Sequence, residues 1–132
     1  MENRVGQYLR IQPGEYVVEQ FAEGLPASSN ADWLVMVRAP EGLTVVRRLA
    51  ASEEAAGDRW VAFSSGQNAH GLDVPGMLAA VVNPLAQAGI SVFVNSTYHA
   101  DLVLVQFGRR HEAADVLRRA GHVVEDSLDA PP

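Results

Sequence analysis

The sequence predicts an α+β fold, and three observations predict it. Short runs of β-forming residues recur along the whole chain. Two amphipathic helical patterns occur, both in the C-terminal half. The order in that half is strand, helix, strand, strand, helix, strand, which is the split βαβ, ferredoxin-like βαββαβ arrangement. The N-terminal half offers strand, connection, strand, strand, a shortened copy of the same unit expected to share one antiparallel sheet with it. The chain is therefore divided into residues 5–58 and 59–126, with 127–132 an acidic, proline-ended tail that frays.

Tyr8 to Gln12 alternates and stops at the Pro13-Gly14 turn signal, and Glu15 to Phe21 is rich in β-formers. Residues 22–32 read as a loop. Trp33–Arg38 and Leu43–Leu49 flank Ala39-Pro40-Glu41-Gly42, which makes a hairpin. Residues 50–58 are Ala/Glu-rich and allow a turn or two of helix before Gly57. Trp60–Ser64 is a strand and Ser65–Asp73 a glycine-bearing loop. Over Pro75–Ala88, Leu78, Val81, Val82 and Leu85 form one apolar helical stripe. Asp73 is placed to cap it, Pro75 suits its first turn, and Gly89 its left-handed end. Pro84 lies inside and removes one backbone hydrogen bond. Ile90–Asn95 and Leu102–Phe107 read as buried strands. Arg109–Ala120 is a second helix ended by Gly121, and His122–Glu125 a last strand.

Composition sets limits. The 132 residues carry a net charge of -6, and all ten basic residues are arginine. Phosphate binding needs a concentrated basic surface, whereas Arg47-Arg48, Arg109-Arg110 and Arg118-Arg119 are isolated pairs, so nucleic acid is not an expected partner. The lack of cysteine removes disulfides, thiolate catalysis and Cys-based zinc sites. Met1 to Gln12 has no apolar leader and no stretch reaches membrane-span length, so the expectation is a cytoplasmic protein with no membrane association.

Asp73-Val74-Pro75-Gly76-Met77-Leu78-Ala79 resembles the signature of the ACT family, in which an acidic residue, Pro and Gly open the first helix. Pro84-Leu85-Ala86-Gln87-Ala88-Gly89-Ile90-Ser91-Val92-Phe93 is similar to that family's helix end and second strand. Ser96-Thr97-Tyr98-His99-Ala100-Asp101 resembles a Ser-Thr-aromatic-x-x-Asp motif of a small bacterial tandem-ACT subgroup, one related to the eukaryotic cytosolic arginine sensor of the TOR pathway. The resemblance is strong over about Trp60 to Val124 and weaker over Tyr8 to Leu49. It implies an amino acid bound at the junction between ACT units, a regulatory role and no catalysis. It also implies pairing of ACT units, hence a homodimer, unless the tandem chain satisfies that pairing internally.

The candidate ligand-binding residues are Gly71, Leu72, Asp73, Val74, Gly76, Thr97, Tyr98 and Asp101. A glycine loop feeding a helix start exposes backbone N–H groups at a positive dipole end, a suitable seat for a carboxylate. Equally, Gly71 permits a turn and Gly76 a close helix approach. Asp73 is a cap or a contact. Asp101 opens a strand, where Asp is disfavoured, and its carboxylate suits an ammonium or guanidinium; the alternative is an Asx turn. The resemblance gives Thr97 and Tyr98 as pocket lining. It also shows two departures. Val74 stands where the sensor has an acidic residue and Ala100 where the subgroup has a small polar one, which argues against inherited arginine specificity and towards a neutral amino acid or a vestigial site.

His70, Asp73, His99 and Asp101 make a conceivable metal set without regular metal-site spacing, and no cofactor is expected. His111 and His122 read as surface residues beside helix ends. The serines lack a nucleophile-elbow context, so no enzyme is expected. The competing reading is a ligand-free protein–protein interaction or oligomerisation module. The regulated protein target is unknown.

Overall fold

In the computed structural model residues 6–23, 34–55, 57–65, 75–125 and 128 are described. The elements follow in the order β1 (Tyr8–Ile11), β2 (Tyr16–Phe21), β3 (Leu34–Ala39), β4 (Gly42–Arg48), β5 (Trp60–Ser64), α1 (Met77–Gln87), β6 (Val92–Ser96), β7 (Asp101–Gln106), α2 (Arg110–Arg119) and β8 (Val123–Val124), with one 3-10 turn over Phe107–Arg109. This is a mixed α+β fold with an eight-stranded sheet and two helices, consistent with a ferredoxin-like architecture.

β5 is the centre of the sheet. On one side β7 pairs with it antiparallel, from Trp60↔Gln106 to Ser64↔Leu102, and β6 follows β7. The other side of β5 is shared by two strands. β1 takes its end, at Arg10↔Ser64 and Ile11↔Phe63, while β2 meets only its first residue, at Tyr16↔Trp60. Between them lie Pro13 and Gly14, whose φ of 91° is left-handed. There the chain turns away from β5, and β2 continues into the β2-β4-β3 ladder. The predicted hairpin is present, with a shorter turn: Ala39 pairs with Gly42, leaving Pro40-Glu41 at the tip.

One finding departs from the chain order read from sequence, which groups Tyr8–Gln12 with the N-terminal strands. β1 lies between β5 and β8, antiparallel to the first and parallel to the second, at Tyr8↔Val123 and Leu9↔Val124. Burial is the physical reason: Leu9 enters the core formed by Val61, Phe63, Val103 and Val105 of the sheet with Val81, Leu85, Ala113, Ala114 and Leu117 of the helices. The opposite face holds a second cluster, Tyr16, Val46, Ala62, Leu102 and Leu104, flanked by Trp60 and Phe93. Buried on both faces, β5 and β7 show the nearly unbroken apolar runs seen in the sequence. Burial pushes the Tyr16 phenol above its ordinary pKa, and its hydroxyl donates to Pro13 O at 3.0 Å.

Both helices end as their glycines predict. Gly89 (φ 72°) and Gly121 (φ 101°) are left-handed, and the next residues, Ile90 and His122, donate back to Leu85 O and Leu117 O. α1 starts later than the sequence suggests: Gly76 (φ 82°), not Asp73, occupies the N-cap position, with no side-chain cap. The described residues of 50–58 carry no helix; Glu53 instead accepts from Ala50 N and closes a turn.

Pro84 has no N–H to donate to Ala80 O, four residues earlier in α1. His122 Nε2 lies 2.7 Å from that oxygen. Its Nδ1 accepts from Gln7 N at 3.1 Å, which fixes the neutral tautomer with hydrogen on Nε2 and makes Nε2 the donor to Ala80 O. The surface expectation for His122 is therefore corrected: it is 5% exposed and supplies the hydrogen bond that the proline withholds.

Candidate functional site

Several chain ends converge at one end of the sheet: the end of β5, the start of β7, the end of β6 and the start of α1. The pairing Arg10↔Ser64 carries the chain ahead of Tyr8 past the end of β5, and there Gln7 Nε2 donates to Met77 O, in the first residue of α1, at 2.8 Å.

Of the eight candidate residues, Gly71, Leu72, Asp73 and Val74 lie outside the described residues, as does His70. Gly76, Thr97, Tyr98 and Asp101 are described. Asp101 opens β7 opposite Ser96, the last residue of β6. Ser96 Oγ donates to Asp101 Oδ1 at 2.7 Å. Behind it, Ser65 N donates to Asp101 O at 3.0 Å, and Asp101 N to Ser65 Oγ at 3.3 Å. The disfavoured strand Asp is thus held by its backbone on one side and by a serine hydroxyl on the other, and the residue is half-buried at the sheet end.

Thr97 closes the β6–β7 turn. Its N donates to Ala100 O at 2.7 Å, and its Oγ1 accepts from Ala100 N at 3.1 Å. Its hydroxyl is therefore engaged within the turn. Tyr98 is 70% exposed and stands edge-on to His99, with ring centroids 4.7 Å apart. Gly76 leaves the helix start open: a Cβ there would meet nothing within 4 Å among the described residues.

Sequence reasoning missed Ser65 and Gln7. A lone serine after a strand and a glutamine before one carry no motif, and only the register brings them here. Gln7 is 7% exposed and its Oε1 has no hydrogen-bond partner among the described residues. A buried acceptor left unpaired costs about 1–3 kcal/mol. The amide cannot flip to satisfy it, because only the NH2 side can face the Met77 carbonyl.

Elsewhere, Arg47 lies between Glu19 (2.8 Å) and Glu53 (2.5 Å), which raises its pKa and lowers that of Glu53 to about 2. Arg109 pairs with Glu112 at 2.7 Å and lowers its pKa; Arg59 pairs with Glu15. Among the described residues no three His, Asp or Glu side chains gather to hold a metal ion. No helix of the described residues is long and apolar enough to cross a membrane.

Residues 55–119, which contain β5, α1, β6, β7 and α2, match the family model of the ACT domain. These residues form an ACT domain. ACT domains are generally regulatory modules that bind small ligands, and often dimerise. β1, β2, β3 and β4 precede the matched ACT segment and β8 follows it, so β1 enters the ACT sheet from outside the matched region. The chain is similar to the crystal structure of protein Atu0741 from Agobacterium tumefaciens: 27% identity, covering 92% of this chain and 93% of that one, with a TM-score of 0.77. It shares its fold with VC0802 of Vibrio cholerae, a protein of unknown function and possible transport protein: 23% identity, 85% and 88% covered, TM-score 0.69. No curated protein matches the sequence.

Proposed function

We propose that the protein is a regulatory module that binds an amino acid, without catalysis, at the end of the sheet where α1 begins. The observation that carries this reading is the Asp101 carboxylate, which accepts from Ser96 Oγ while Ser65 holds the Asp101 backbone, at the end where α1 starts from Gly76. A helix start attracts a carboxylate, and a carboxylate attracts an ammonium, so the two features suit the two ends of one zwitterion. Gly71, Leu72, Asp73 and Val74 complete the site in this reading. Thr97 shapes its rim through the turn, and the exposed Tyr98 ring is available as a wall. The tandem-ACT subgroup related to the TOR arginine sensor supplies the precedent. Val74 in place of an acidic residue favours a neutral amino acid over arginine.

A thermal-shift experiment with the twenty L-amino acids, added singly, tests this. A ligand that binds only the native state at a hundred times its Kd adds about 2.7 kcal/mol. For a chain of this length that raises Tm by about 10 °C. If no amino acid moves the transition, the reading is wrong.

A second reading, a ligand-free oligomerisation module, is favoured by Met36 and Val37. They are exposed on β3, which pairs only with β4 among the described strands. It predicts self-association that no amino acid changes; light scattering that shows a monomer at every concentration contradicts it.

A further inference from the structure

We propose that Gln7 is a positioning residue of the ligand site, holding the first turn of α1 in its binding geometry from just ahead of β1, outside the matched ACT segment. This rests on the amino-acid-binding reading and adds to it a residue that no sequence motif carries.

Three observations support it. Gln7 is buried and spends its amide donor on Met77 O, the carbonyl of the first helical residue, at 2.8 Å. Its own backbone N–H is held by His122 Nδ1 at 3.1 Å, and His122 in turn bonds Ala80 O, so the first turn of α1 is held at Met77 and at Ala80. Its Oε1 is buried without a partner among the described residues. Filling of the core does not require this arrangement. A methionine would occupy a similar volume and bury no unpaired oxygen. The donor to Met77 O is what the glutamine has and the methionine lacks, and it acts on the turn whose free N–H groups would receive the ligand carboxylate. β1 is also clamped on both sides, by β5 and β8, and Val123 N donates to Gln7 O at 2.9 Å. The Gln7 backbone is thus fixed, and its side chain is pre-oriented at no further entropic cost when ligand arrives.

The test is Gln7→Met in the full chain, with two readouts. Tm is measured without ligand, and affinity by calorimetric titration with whichever of the twenty L-amino acids shifts the wild-type transition most. The expected result is an unchanged or raised Tm with affinity weakened about tenfold, a split that a purely structural residue does not produce. Unchanged affinity overturns the proposal while leaving the ligand reading intact. If the wild type binds no amino acid, the ligand reading fails, and hydrogen exchange at the amides of Ala80 and Val81 decides for Gln7. Faster exchange in Gln7→Met at constant Tm shows that Gln7 positions the turn; unchanged exchange refutes that too. Should Gln7→Met fail to fold, the proposal is overturned in favour of a structural role, with Gln7→Leu as the check on that outcome.

Discussion

Replacing His122 by alanine removes the donor to Ala80 O and the acceptor for Gln7 N–H, both buried at the junction of α1, β1 and β8. Each buried backbone group left unpaired costs about 1–3 kcal/mol. Two give about 2–6 kcal/mol, and water entering the vacated space brings the expectation to about 3 kcal/mol. That corresponds to a fall in Tm of about 10 °C. The informative experiment is the double-mutant cycle with Pro84→Ala. That change restores an N–H at residue 84, four residues beyond Ala80, so Ala80 O gains a donor within the helix. In that background His122→Ala should cost about 1–2 kcal/mol less, a coupling read from urea denaturation at constant m-value. If the two substitutions add to within about 0.5 kcal/mol, the imidazole does not compensate for the proline, and His122 has no special part in holding α1.

Three more predictions concern the backbone, the acid limb and the site. Gly89→Ala should cost about 1 kcal/mol, from its φ of 72° alone, because its Cβ would meet nothing within 4 Å. Gly42→Ala should cost more, about 2–4 kcal/mol, since φ is 137° and the Cβ would come within 2.6 Å of the Phe21 carbonyl; equal losses in thermal denaturation would refute the distinction. The Glu53 pKa is lowered from 4.5 to about 2 by Arg47, so its contribution is complete above pH 4.5 and is lost as pH falls towards 2. Glu53→Gln should flatten the stability profile in that window; a profile as steep as wild type removes Glu53 from the acid response. Asp101→Asn should weaken amino-acid binding by about 1.5–3 kcal/mol, the worth of a hydrogen bond to a charged group, with little change in Tm; calorimetry showing wild-type affinity would exclude a carboxylate contact.

Much of the fold is legible in the sequence because it is local. Trp60–Ser64 is a strand with the bounds its residues predict, and the stripe of Leu78, Val81, Val82 and Leu85 is the buried or half-buried face of α1. Gly89 and Gly121 end their helices because left-handed φ is a single-residue property. What the sequence conceals depends on register between distant segments. Tyr8–Ile11 reads as an N-terminal strand, but nothing local reveals that it slots between β5 and β8. His122 follows a helix-ending glycine and looks exposed. It is buried against Ala80 O, the carbonyl that Pro84 cannot serve, and that link between Pro84 and His122 leaves no periodicity to detect. At the candidate site, Asp101 stands out as an acid opening an apolar strand, and the structure accounts for its place through Ser96 and Ser65. Thr97 reads as pocket lining but is occupied in its own turn; Ser65 and Gln7 arrive only through strand pairing.

The central claim is that one amino acid binds between the start of α1 and the Asp101 end of the sheet. A two-dimensional NMR titration of the amide resonances with the twenty L-amino acids tests it most directly. Binding at that place predicts that one amino acid shifts Gly76 to Ala79 and Thr97 to Asp101 together, in a saturable manner. No response to any amino acid, or a saturable response confined to other residues, would contradict it.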